Sequence, residues 1–210
     1  MDKLRLKFTK TGRAAYISHL DLMRTMQRVF SRAGVRLKYS EGFNPHAKIS
    51  IVLPLTVGTR SLCEYMDFAL AEPVELSSLP ARLNPFMPEG IEALEAYEAP
   101  GKGSLLRWLR LTGRMTGGRD AAFYRDFFAR PQILVERRGK RGPRTDDIAP
   151  MIKRADFTDG ARGVLAELVI HAQEPTLSPE VMMAAPGADA PAYYVFRREE
   201  AFCEDMTPFR

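Results

Sequence analysis

The chain has 210 residues, 45% of them hydrophobic and 27% charged, with a formal net charge of +5 and a pI near 9.3. This is the composition of a globular protein with a buried core, and it excludes a disordered or fibrous chain. Lys3, Arg5 and Lys7 interrupt any N-terminal apolar run, so neither a signal peptide nor a membrane span is expected, and Cys63 and Cys203 are too few for a disulfide framework or a zinc site.

Residues 3–8 alternate strictly, with Leu4, Leu6 and Phe8 on one side and Lys3, Arg5 and Lys7 on the other. That pattern predicts a strand with one face on a core and one face wet. Ser18 with Asp21 three residues on is a short capping box. The apolar series Leu22, Met23, Met26, Val29, Phe30 and Ala33, followed by Gly34, predicts an amphipathic helix closed by an αL glycine. Arg24, Arg28 and Arg32 repeat along its polar side. A solvated helix face is the plainer account of that stripe, and a docking surface for phosphates or an acidic partner the sharper one.

Residues 35–39 are expected to be extended, leading into the loop Ser40–Lys48. Gly42 permits a positive φ, and Asn44 before Pro45 is pushed away from helix, so the loop should hold a defined shape. Phe43 either plugs the core or stands exposed for stacking; the plug is favoured because buried aromatics are commoner. Residues 49–53 then read as a strand stopped by Pro54, and 63–70 as another, with Met66, Phe68 and Leu70 inward and Tyr65 and Asp67 outward. Asp67 is positioned to pair with Arg5 or Lys7 across the sheet. Leu76, Leu79 and Leu83 mark a short helix, and 91–97 the next strand. The order is β-α-β-β-α-β, a ferredoxin-like arrangement spanning residues 1–99.

Residues 100–104 form a linker, after which the order starts again over 105–210. Strands are predicted at 105–111, 133–138, 163–171 and 193–198. A helix is predicted at 120–129, and a short one opens at Ser178-Pro179 with Pro at N1. Tyr124 and Phe128, like Phe123 and Phe127, are at i,i+4 spacing and are read as core. The fold class is therefore α+β, two tandem ferredoxin-like βαββαβ halves with antiparallel sheets. Between two predicted strands, Arg137, Arg138, Lys140, Arg141 and Arg144 place five cations in eight residues. A solvated hairpin tip and a phosphate-contacting finger account for them equally well. Asp146 and Asp147 follow; Asp147 is positioned to cap a short turn, and the acids to offset part of the basic charge.

No nucleophilic triad, P-loop, dinucleotide fingerprint or metal-ligand spacing is present, so no cofactor or metal is expected. His19 and His46 remain. If the loop folds back over the helix start, Tyr16, His19, Asp21, His46 and Lys48 would form one polar cluster with an acid–base pair in it. The plainer account makes both imidazoles local braces.

The runs YISHLDLMR (16–24), YSEGFNPHAKIS (39–50), LPLTVG (53–58) and EYMDFAL (64–70) resemble the radical-SAM-linked family, a domain of unknown function (DUF2344). The resemblance is consecutive over residues 3–98 and continues in order, through RTDDIAPMIK (144–153), to about residue 200. Members commonly read FNPHP where this chain has FNPHA. The family brings no established activity, but it implies a radical SAM protein as partner. Together these observations predict a cytoplasmic RNA-binding module acting with that partner. Two alternatives are an RNA-processing or RNA-modifying enzyme using His19 and His46 without a metal, and an adaptor docking through an open sheet face or through Arg24, Arg28 and Arg32.

Overall fold

The computed structural model describes residues 3–139 and 142–210, the side chain of Arg138 excepted. The fold is mixed α+β and mostly sheet, with four α-helices among the described residues. Two compact units make up the chain, Met1–Leu105 together with Arg210, and Leu106–Phe209.

The first unit runs β1 (Leu4–Lys10), α1 (His19–Arg32), β2 (Ile49–Ile51), β3 (Arg60–Phe68), α2 (Leu79–Leu83) and β4 (Ile91–Glu98). Its strands lie in the order β4-β1-β3-β2, every neighbouring pair antiparallel. Helix α1 begins where the capping residues put it: Asp21 N–H donates to Ser18 Oγ at 3.2 Å. At the other end Gly34 takes φ +68°. The periodic residues Leu22, Met26, Val29 and Phe30 are buried against Leu6, Phe8, Met66 and Phe68. Phe30 meets Phe68 edge-on with centroids 5.2 Å apart. Each such side chain contributes about 1.5–3 kcal/mol by leaving water, and this sets the register of helix on sheet.

The opposite face of β1 is not wet, contrary to the expectation from its cations. Arg5 is wholly buried. Its Nε and Nη2 donate to Asp67 Oδ1 (2.6 Å) and Oδ2 (3.1 Å), and its Nη groups also reach the carbonyl oxygens of Arg210 (2.6 Å) and Gly101 (3.1 Å). Tyr65, expected to point outward, is buried as well. A guanidinium tolerates this because a bidentate carboxylate and two carbonyls replace its water. Alternation shows which side chains share a face, not whether that face meets solvent.

Tyr97 stands opposite Arg5 on β4. Among the described residues its hydroxyl is buried with no hydrogen-bond partner, and the Arg210 guanidinium lies 4.9 Å from its ring. Burial pushes its phenol up to about 12, against the pull of the Arg5 and Arg210 charges. The unfolded chain ionises near its ordinary 10.0, so stability present below pH 10 is lost as pH rises towards 12. Tyr97→Phe is therefore expected to remove that alkaline loss. It should also stabilise the neutral protein by about 1 kcal/mol, since an unsatisfied hydroxyl disappears. Urea unfolding at neutral and alkaline pH checks both; an unchanged alkaline slope in the variant would refute the assignment.

The second unit runs β5 (Trp108–Thr116), α3 (Ala121–Phe128), β6 (Leu134–Gly139), β7 (Gly142–Asp147), β8 (Ile152–Gly160), β9 (Gly163–His171), α4 (Pro179–Ala184) and β10 (Tyr193–Phe202). Its main strands lie in the order β10-β5-β9-β8, again antiparallel. Two expectations are corrected here. The strand expected at 133–138 does not join that sheet but pairs with β7 as a separate hairpin. Its place beside β9 is taken by β8, a strand outside those expected from the sequence. Strand β8 neighbours only β9 within this unit, and Lys153, Arg154, Asp156, Thr158, Asp159 and Gly160 fill its exposed positions while Phe157 alone is buried, so its apolar alternation is masked. The strand expected at 105–111 also begins later, after a 3-10 turn at Gly103–Leu105.

Asp120 caps α3 by accepting from Phe123 N–H at 2.9 Å. Tyr124, Phe127 and Phe128 are buried, with Phe128 stacked on Phe157 at 5.6 Å and Tyr124 tilted against it at 5.7 Å. The aromatic stripe is core, as its spacing predicts. Asp147 Oδ1 accepts from Ile133 N–H (2.9 Å) and Ala149 N–H (3.1 Å), opening the 3-10 turn Ala149–Met151 over buried Ile148.

Candidate functional site

After α1 the chain returns along the sheet. Lys38 N–H donates to Ala69 O at 2.8 Å, Leu37 bridges Leu70, Tyr39 bridges Ala47, and Lys48 N–H donates to Lys38 O at 2.7 Å. Residues 37–40 and 46–48 are thus two arms of a hairpin, and 41–45 its tip. Ser40 closes the tip three times: its N–H donates to His46 O (2.8 Å), its Oγ accepts from His46 N–H (3.1 Å), and Oγ lies 3.0 Å from His46 Nδ1. His46 is a brace in this geometry. Gly42 takes φ +124°, a conformation that disfavours any residue with a Cβ.

Phe43 is not a plug. It is 109% exposed, at the tip of the braced loop. The apolar contribution of this segment to the core comes instead from Leu37 and Ala47, both buried. Tyr39 on one arm is 52% exposed, and Tyr16, just before α1, is 72% exposed. Leu20 and Val57 are also exposed. Phe43 had the clearest sequence signal of these, an aromatic among polar neighbours. Leu20 was readable in principle, since it falls outside the buried series 22, 26, 29 and 30.

His19 opens α1 and is exposed. The Asp21 carboxylate beside it is occupied by Ser18 Oγ (2.8 Å) and Arg24 Nη1 (3.3 Å). Among the described residues, no hydrogen bond or ion pair joins His19 to His46, Tyr16 or Lys48. Among the described residues, no hydrogen bond or ion pair ties the expected five-residue polar cluster together, and the loop arms pair with residues 69 and 70.

The arginine stripe divides. Arg24 is paired with Asp21, Arg32 lies 5.6 Å over the Phe86 ring, and Arg28 is exposed with no ion pair among the described residues. Helical spacing makes Arg24, Gln27, Arg28 and Ser31 immediate neighbours on the side away from the core. In the second unit, Arg137 Nη1 reaches Asp146 Oδ2 (3.4 Å) and Thr176 O (3.1 Å), and Arg144 Nη2 reaches the same Asp146 oxygen at 3.0 Å. Two of the five expected tip cations are thereby partly neutralised. Lys140, Arg141 and the side chain of Arg138 lie outside the described residues.

Among the described residues, no group of three His, Cys, Asp or Glu could hold a metal ion, and no helix is long and apolar enough to cross a membrane. No curated protein matches the chain. A family model described as an uncharacterized protein conserved in bacteria (DUF2344) matches residues 3–179, and the chain belongs to that family.

Proposed function

We propose that the protein is a single-stranded RNA-binding module whose first unit carries the binding face, working in the cytoplasm beside a radical SAM protein. One observation carries the reading: Phe43 stands fully exposed on a braced, pre-shaped loop, with Tyr39 half-exposed on the same hairpin. Leaving such rings in water is unfavourable unless a partner covers them, and bases stack on aromatic faces whatever their identity. The outward Arg24 and Arg28 on α1 and the exposed Lys48 on the hairpin supply charge for phosphates. A braced loop loses little conformational entropy on binding, which favours its use as a contact.

The strand orders β4-β1-β3-β2 and β10-β5-β9-β8 support reading both units as ferredoxin-like halves, with the β6–β7 hairpin as an insertion in the second. The radical SAM partner rests on the family resemblance alone. A reducing compartment suits the free thiols of Cys63 and Cys203. Arg138, Lys140 and Arg141 enter as a second phosphate contact on charge alone. For an acid–base enzyme the two histidines offer no shared site, since His46 Nδ1 is engaged with Ser40.

Binding of a short unstructured RNA across a salt series tests the reading. Affinity should fall with log salt by roughly 0.7 per phosphate contact. Arg24→Ala/Arg28→Ala should flatten the slope by roughly 1.4, and the triple Ala variant of Arg138, Lys140 and Arg141 by up to roughly 2. Absence of binding at low salt, with a salt-insensitive complex with the radical SAM protein, would replace this reading with the adaptor one.

A further inference from the structure

A groove of about 540 Å³ opens between the second half of α1 and the returning chain, lined by Gln27, Ser31, Val35, Leu37, Tyr39 and Ala71. Its volume is within the range of small-molecule clefts, about 300–1,000 Å³. Val35 and Leu37 are buried, Tyr39 offers an exposed ring, and Gln27 and Ser31 sit one helical turn apart on α1. No described residue hydrogen-bonds the Gln27 amide, so its donor and acceptor are both available. The rim carries Arg36, held only by a surface pair with Glu72 at 3.1 Å. Such a pair contributes little and is readily exchanged for a phosphate.

We infer that this groove is a base-reading subsite for one unpaired adenine of the bound RNA; the inference rests on the RNA-binding reading above. The purine stacks on Tyr39 over the apolar floor. The Gln27 amide oxygen accepts from the exocyclic N6 amine while its NH₂ donates to N7, the two-pronged match that a carboxamide makes with adenine. The strip of Arg24, Gln27, Arg28 and Ser31 lets one helix face hold backbone and base together, with Arg28 on the phosphate beside the base that Gln27 reads. Tyr39 also lies on the hairpin arm that leads to Phe43, so bases on either side of the adenine have a stacking partner within the same element.

The test uses the full chain and labelled oligomers of equal length made of adenosine, uridine, cytidine or 7-deazaadenosine, the last lacking only the N7 acceptor. Wild type should prefer the adenosine oligomer by about tenfold, the equivalent of one good bidentate contact. The 7-deaza oligomer should lose that preference. Gln27→Met keeps the side-chain length and should bind all four oligomers alike, with an unchanged thermal midpoint. Tyr39→Ala should weaken all four, and Tyr39→Phe should not. Equal binding of the four oligomers by wild type, or a preference that survives Gln27→Met, overturns the subsite while RNA binding stands. A wild-type protein that binds none of them overturns both readings.

Discussion

Arg5→Met is expected to destabilise the first unit by about 3–5 kcal/mol, the range measured when one partner of a buried ion pair is removed. The guanidinium is 0% exposed and the Asp67 side chain 13% exposed, so the carboxylate left behind has little access to water. Two carbonyls, of Gly101 and Arg210, lose a donor in the same step. Methionine fills much of the arginine stem's volume, so the loss is electrostatic and not a cavity effect. The double variant Arg5→Met/Asp67→Leu should therefore recover a large part of the loss, because replacing both charges leaves no stranded ion. Urea unfolding followed by circular dichroism measures all three proteins. A double variant no more stable than Arg5→Met would show that the pair is not the source of the cost. Arg5→Lys should fall between wild type and Arg5→Met, since an ammonium keeps the charge but not the fork that meets both Asp67 oxygens.

What could be read from the sequence was local. Helix starts at Ser18 and Ser178 were readable because a cap and its first turn lie within three residues, and both side chains accept a first-turn backbone N–H; Asp120, read as the first helical residue, is instead the cap of α3. Strand β9 was readable because only Glu167 breaks its apolar run from Val164 to Ile170. The pairing of Arg5 with Asp67 was readable from the alternation of the two strands, but its burial was not: the Gly101 and Arg210 carbonyls that complete its shell lie 96 and 205 residues away. Strand β7 was hidden because its sequence, GPRTDD, holds no apolar residue; Asp146 ties the hairpin through Arg137 and Arg144 instead. At the candidate face, the shape of the loop was readable from Gly42 and Asn44-Pro45. Its direction was not, since that depends on which chain segment the hairpin arms pair with. The groove was invisible for the same reason, as Gln27 and Tyr39 meet only through the return of residues 34–39.

Phe43→Ala is expected to weaken single-stranded RNA binding by about 1–3 kcal/mol, a loss of roughly five- to 150-fold, which is the range for removing one aromatic from under a base. The same substitution should leave the thermal midpoint unchanged, because a fully exposed ring contributes no burial to the fold. These two readouts separate the exposed ring from a core plug, for which truncation costs about 3–5 kcal/mol of stability. Phe43→Trp should bind at least as tightly as wild type, since indole offers a larger face, whereas Phe43→Leu keeps apolar volume without a π-face and should bind like the alanine variant. Gly42→Val supplies the control for loop shape. At φ +124° a β-branched residue is strained, so it should lower affinity by moving Phe43 while the ring itself is intact. If Phe43→Leu binds RNA like wild type, the ring acts by hydrophobic contact alone. The exposed tip would then be a protein-docking feature, and the proposed radical SAM partner would be the one to test against Phe43→Ala.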